Sequence, residues 1–172
     1  MKIAYVILIL IAFHYKVYAQ NNNNPFAGMD YDSIVIYDFN PQGESIEQSS
    51  IITKKNKLIS TIKKRHTLTH TEGAELTDIL GLESSYGETT AACYEPHLGI
   101  VYYQKGKVLV HLTICMDCNR LVSSMDIPNQ KQGRQESANG NVYYDLNGMS
   151  KSLRTHLNKL LNEYKFSHTI EN

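Results

Sequence analysis

Apolar and polar positions alternate along this chain in short blocks, and each block predicts an element. Residues 33–39 (SIVIYDF) are β-branched and aromatic and run into Asn40-Pro41-Gln42-Gly43, a turn cluster, so a strand is expected there. A second strand is expected within 58–68, where Leu58, Ile62 and Leu68 stand among Thr and Lys. Residues 71–81 combine a capping Thr71, an acidic first turn, apolar 76, 79 and 80 and a terminal Gly81, which predicts a short helix. Blocks 98–103 (LGIVYY) and 108–114 (VLVHLTI) flank Gln104-Lys105-Gly106-Lys107 and predict a β-hairpin. Residues 123–139 are polar and hold Pro128 and Gly133, the pattern of a long exposed loop, and 140–146 (GNVYYDL) predicts a further short strand. After Ser150, a capping residue, Leu153, Leu157, Leu160, Leu161 and Tyr164 form one stripe of helical period, with Arg154, Lys159 and Lys165 on the other side. Such a stripe is a packing face. The expected fold is α+β: a mainly antiparallel sheet with a central β-hairpin, packed by the C-terminal amphipathic helix and one short helix.

The N-terminal pattern is of another kind. Lys2 precedes an apolar run over 3–13, and His14 to Ala19 end in Val17 and Ala19, small residues spaced as at a signal-peptidase site. The run is shorter than the roughly 20 apolar residues that span a bilayer. A cleavable signal peptide over 1–19 is therefore expected, with a periplasmic or extracellular destination and no membrane attachment after cleavage. Gln20 to Asn24 followed by Pro25 is too polar to build a core, and a disordered spacer over 20–31 is expected ahead of a single domain over 32–168.

Charge narrows the partners. The chain has 17 basic and 17 acidic side chains, and loss of Lys2 and Lys16 with the signal leaves the mature chain at −2. So even a balance makes no field for nucleic acid or an anionic membrane. Lys63-Lys64-Arg65-His66 is a short basic cluster, and it reads as a solvated face.

The hairpin carries the chemistry. A two-residue Lys105-Gly106 loop pairs Tyr103 with Val108, whereas a three-residue loop pairs Tyr103 with Lys107. The second is expected, because it sets Leu98, Ile100 and Tyr102 beside Val108, Val110, Leu112 and Ile114 on one apolar face. The opposite face then holds His97, Gly99, Val101, Leu109, His111, Thr113 and Cys115, and Cys93 falls opposite residue 117. All three cysteines, Cys93, Cys115 and Cys118, thus converge on the open end of one hairpin.

Three chemistries suit that convergence. A structural disulfide from Cys93 to Cys115 or Cys118 suits an oxidising compartment and is expected. A tetrahedral zinc site would draw on Cys93, His97, Cys115 and Cys118, with His111 as a substitute, and no other cofactor is called for. A redox pair would use Cys115 and Cys118 of the C-x2-C. His66 and His70 are expected to be unpaired surface histidines. No phosphate-binding glycine loop, G-x-S-x-G or H-E-x-x-H occurs, so the expectation leans away from an enzyme and toward a structural or binding module with a protein or small-ligand partner.

Tyr86-Gly87, Ala92-Cys93-Tyr94-Glu95-Pro96-His97, Ile100-Val101-Tyr102-Tyr103, Gly106-Lys107 and Ile114-Cys115-Met116-Asp117-Cys118-Asn119 together resemble a group of uncharacterised exported proteins, chiefly bacterial. In that group a Cys-x2-Pro precedes a β-hairpin that ends in C-x2-C. The similarity extends through the leucine-rich C-terminal helix, from Tyr86 to Phe166. It implies export and a shared cysteine core, and it carries no activity.

Overall fold

A computed structural model of the chain describes residues 24–43, 49–91, 93–136, 138–140, 142–145 and 147–169. The expected signal peptide and the first four residues of the expected spacer lie outside them. In chain order the described elements are β1 (Ser33–Phe39), β2 (Ile62–Thr67), α1 (His70–Leu80), β3 (Tyr86–Glu88), β4 (Leu98–Gln104), β5 (Lys107–Cys115), β6 (Arg120–Ser123), β7 (Gly133–Glu136), β8 (Val142–Asp145), β9 (Gly148–Met149) and α2 (Lys151–Glu163), with two single 3-10 turns.

Five strands make an antiparallel sheet in the order β2-β1-β4-β5-β6, and two small ladders, β3 with β9 and β7 with β8, stand apart from it. The fold is α+β with a C-terminal helix, as the periodicities predict. Alternation along the strands divides the side chains between two faces. Ile36, Ile100, Leu112 and Ile114 point to the helices, where they meet Leu76 and Leu80 of α1 and the Leu153-Leu157-Leu160-Leu161 stripe of α2. Val35, Tyr37, Phe39 and Val101 point the other way and are covered by Ile51, Ile52 and Ile59. Gly99 makes that second layer fit, since a Cβ there would stand 2.8 Å from Ile51 Cγ1.

Four expectations need correction. At the hairpin tip Gln104 faces Lys107 and Tyr103 faces Val108, the two-residue turn. Lys105 and Gly106 both have positive φ, 49° and 74°, which is the conformation that matches strand twist in such a turn. The register then shifts between Tyr102 and Tyr103, so that Tyr102 faces Val110, Ile100 faces Leu112 and Leu98 faces Ile114. A bulge at exposed Leu109 thereby restores the expected apolar face from Val110 onward, while Val108, expected on that face, packs on the other side with Tyr103.

The first helix starts earlier than predicted. Thr69, not Thr71, is its cap, in a reciprocal box with Glu72. Residues 123–139 are not an exposed loop: they hold a 3-10 turn, Pro128–Gln130, and strand β7, and Ile127, Asn129 and Gln130 are buried. The buried amides are satisfied by backbone, Asn129 donating to the Gly81 carbonyl (2.6 Å) and Gln130 to that of Leu121 (3.0 Å).

Packed structure also begins before Asp32. Phe26 is only 1% exposed and stacks on Tyr102 at 5.5 Å, and Met29 and Tyr31 pack against the same core. Residues 24–31, expected in the spacer, thus belong to the packed fold. The short basic cluster lies on β2, at a sheet edge, with Lys63, Lys64 and Arg65 exposed as expected.

Candidate functional site

Strand β5 delivers Cys115 to a tight turn that returns as β6, with Cys115 paired to Arg120 across the ladder. Asn119 closes the turn in the left-handed region (φ 53°), a conformation that Asn tolerates better than most residues, and its amide N–H donates to the Met116 carbonyl (3.1 Å). Cys118 is thereby folded back over Cys115. Their Cα atoms are 5.3 Å apart and their sulfurs lie at disulfide distance, while the Cys118 N–H points at Cys115 Sγ (3.2 Å).

Cys93 reaches the same corner by another route. The segment after β3 does not extend the hairpin as a strand; it is pinned to the turn. Ala91 N–H and Thr90 Oγ1 both donate to the Cys118 carbonyl (2.9 and 2.8 Å), and Asn119 Nδ2 donates to the Thr89 carbonyl (2.9 Å). These bonds set Cys93 Sγ 2.6 Å from Cys118 Sγ. The pair at disulfide distance is thus Cys115–Cys118, with Cys93 a free thiol beside it, where a bond from Cys93 was expected; Cys118 is common to the observed pair and the expected one.

Tyr94 follows Cys93 in the chain, and Arg120 faces Cys115 across the ladder. Tyr94 hydroxyl bonds to Thr113, 3.0 Å from its carbonyl and 2.7 Å from its Oγ1, and burial pushes the phenol up to about 12 against the opposing pull of Thr113 and Arg120. The Arg120 guanidinium lies 5.3 Å from the Tyr94 ring centre, a cation–π contact, and its buried Nε finds no hydrogen-bond partner among the described residues.

The two candidate histidines lie elsewhere. His97 Nδ1 donates to the Phe39 carbonyl (3.0 Å), its ring stacks on His168 at 3.5 Å, and its Nε2 is 3.8 Å from Glu95 Oε1. His111 contacts Ser50 Oγ through Nε2 (3.2 Å), and it stands four residues before Cys115, about 13 Å along the strand. Burial pushes His111 below the usual imidazole range, so it is neutral near pH 7. Among the described residues no group of three or more His, Cys, Asp or Glu side chains is disposed to hold a metal ion. The two histidines of the zinc set expected from spacing have partners of their own, His97 at Phe39 and His168 and His111 at Ser50.

His66 and His70 also part company, His66 stacking on Tyr164 at 3.5 Å while His70 begins α1. A cluster that spacing gave no sign of surrounds Asp38. This carboxylate is 3% exposed, accepts from the Ser167 N–H (2.8 Å) and Oγ (2.7 Å) through Oδ2, and has Oδ1 3.7 Å from His168 Nδ1. Its partners come from beyond α2, 129 residues away, and only an acid inside the apolar strand SIVIYDF hinted at it.

Among the described residues no helix is long and apolar enough to cross a membrane. Comparison with known proteins finds no family model, no curated protein and no solved structure that matches the chain.

Proposed function

We propose that this chain is an exported, cysteine-stabilised α+β module that acts as a structural or binding unit in an oxidising compartment. The observation that carries the reading is the convergence of Cys93, Cys115 and Cys118 on one corner, fixed there by hydrogen bonds from Ala91 and Thr90 to the Cys118 carbonyl and from the Asn119 side chain to the Thr89 carbonyl. Clustered thiols of this kind become cross-links where the medium oxidises, and the N-terminal pattern of Lys2, apolar run, Val17 and Ala19 supports delivery to such a medium.

Cys118 is the sulfur common to both cross-links, so C118A removes either. On the loop-entropy account, closing the four-residue ring from Cys115 stabilises by about 2 kcal/mol and the longer ring from Cys93 by about 3.5 kcal/mol. Two measurements test the reading together. Intact mass of the exported product is expected to start at Gln20, and a product that keeps residues 1–19 would remove export from the reading. Non-reducing peptide maps are expected to find Cys118 cross-linked, with C118A folded but less stable by about 2–4 kcal/mol in denaturant. Three cysteines that alkylate fully without reduction, or a C118A chain as stable as the parent, would falsify the structural role.

A further inference from the structure

The three sulfurs differ sharply in access. Cys115 and Cys118 are 1% and 2% exposed, whereas Cys93 is exposed. A disulfide is opened by a thiolate that reaches one of its sulfurs, so a bond between Cys115 and Cys118 is closed to thiols in solution. Cys93 stands at the boundary, open to solvent and 2.6 Å from Cys118 Sγ.

We propose that Cys93 is a shuttle thiol, carrying the oxidising equivalents of the buried Cys115–Cys118 bond to a small external thiol. The inference rests on the cysteine cross-link of the preceding reading and adds an activity to it. In the first step the Cys93 thiolate gives an electron pair to Cys118 Sγ, the Cys115–Cys118 bond breaks, and its electron pair leaves on Cys115 as thiolate. Nothing is oxidised overall; the bond has moved to Cys93–Cys118. In the second step an external thiolate attacks exposed Cys93 Sγ, forming a mixed disulfide and releasing the Cys118 thiolate. In the third a second external thiolate attacks the outer sulfur of that mixed disulfide and frees Cys93. Two external thiols end as one disulfide, their two electrons end on Cys115 and Cys118, and the protons they release are taken up by those two sulfurs or by solvent. The sequence is one turnover per molecule.

Two features favour the first step. The Cys118 N–H directed at Cys115 Sγ (3.2 Å) stabilises negative charge on that sulfur, the leaving group. Arg120, directly across the ladder from Cys115, places a cation at the same corner, with a buried Nε that finds no hydrogen-bond partner among the described residues. The pinning of residues 89–91 to the turn keeps Cys93 beside Cys118 without any other cross-link.

The test follows reduction of the oxidised protein by reduced glutathione, with acid quenching and peptide mapping. Reduction of the Cys115–Cys118 bond is expected to slow about tenfold or more in C93S, and equally in parent protein alkylated at Cys93. In denaturant the parent and C93S are expected to be reduced at the same rate, since burial no longer protects the bond. In C115S the Cys93–Cys118 bond is expected to form, and glutathione to be captured on Cys93. A folded C93S reduced as fast as the parent, or a glutathione adduct on Cys115 or Cys118 in the folded parent, overturns the shuttle while leaving the cross-link intact. Folded protein with no disulfide at all defeats the cysteine-stabilised reading and the shuttle with it.

Discussion

Half-buried imidazoles give single residues a measurable say in this molecule. His111, His156 and His168 all titrate below the ordinary value of 6.5, burial being the largest cause in each; at His168 the nearby His97 adds to it and Asp38 opposes it. A histidine that holds its proton less tightly folded than unfolded contributes stability that is fully present above 6.5. That stability is lost as pH falls through the lowered folded value. Denaturation midpoints are therefore expected to fall from about pH 7 to about pH 5, and H111Q, which keeps a polar group for Ser50, is expected to flatten the slope. An unchanged slope in H111Q would assign the loss to other groups. None of this was legible in the sequence, where His111 read as one of several histidines near cysteines; its burial depends on Ser50, 61 residues away. The closeness of Cys115 and Cys118, by contrast, was legible from the C-x2-C turn, whereas Cys93 joins them through the hydrogen bonds of residues 89–91 and not through the extended hairpin that alternation suggested.

Elements were readable wherever one face is apolar and unreadable where polar side chains do the packing. The helix stripe of Leu153, Leu157, Leu160 and Leu161 is buried as its period implies, and Ser150 caps the helix by accepting from the Leu153 N–H (3.4 Å). Leu157 is 1% exposed, so L157D buries an unpaired carboxylate and is expected to abolish cooperative unfolding, as read by circular dichroism during urea titration. A mutant with the parent's midpoint would mean that the stripe faces solvent. The face composition of the β4–β5 hairpin was equally plain from alternation, yet its register was not. Two loops satisfy the same pattern once a bulge is allowed, and alternation is silent about bulges. Residues 123–139 show the opposite failure. Asn129 and Gln130 look solvated by composition, but each serves a backbone carbonyl inside the fold, at Gly81 and Leu121. A polar side chain with a buried partner carries the same one-letter signature as one in water.

At the scale of the whole molecule, the chain's first described segment is a strap. Phe26 lies against Tyr102 on the helix side of the sheet, and Asn24 Nδ2 donates to the Thr77 carbonyl (3.4 Å) at the end of α1. F26A is expected to cost about 3–5 kcal/mol, and a chain trimmed to begin at Asp32 at least as much, measured from urea midpoints. Equal stability of the trimmed chain would make the strap dispensable and restore the spacer to its full length.

The order of strands has a consequence during synthesis. In β2-β1-β4-β5-β6 the strands β4, β5 and β6 follow one another and pair as a meander, but β1 sits between two partners made later. It can take β2 along one edge once residue 67 has emerged, whereas its second edge waits for Leu98 and beyond. Until then SIVIYDF presents a bare row of amide and carbonyl groups on an apolar, nearly uncharged segment, the composition that templates intermolecular sheets. The interval between the appearance of β1 and that of β4 is thus the period in which this chain most needs a chaperone's cover, and slowing translation across it should raise aggregation rather than yield.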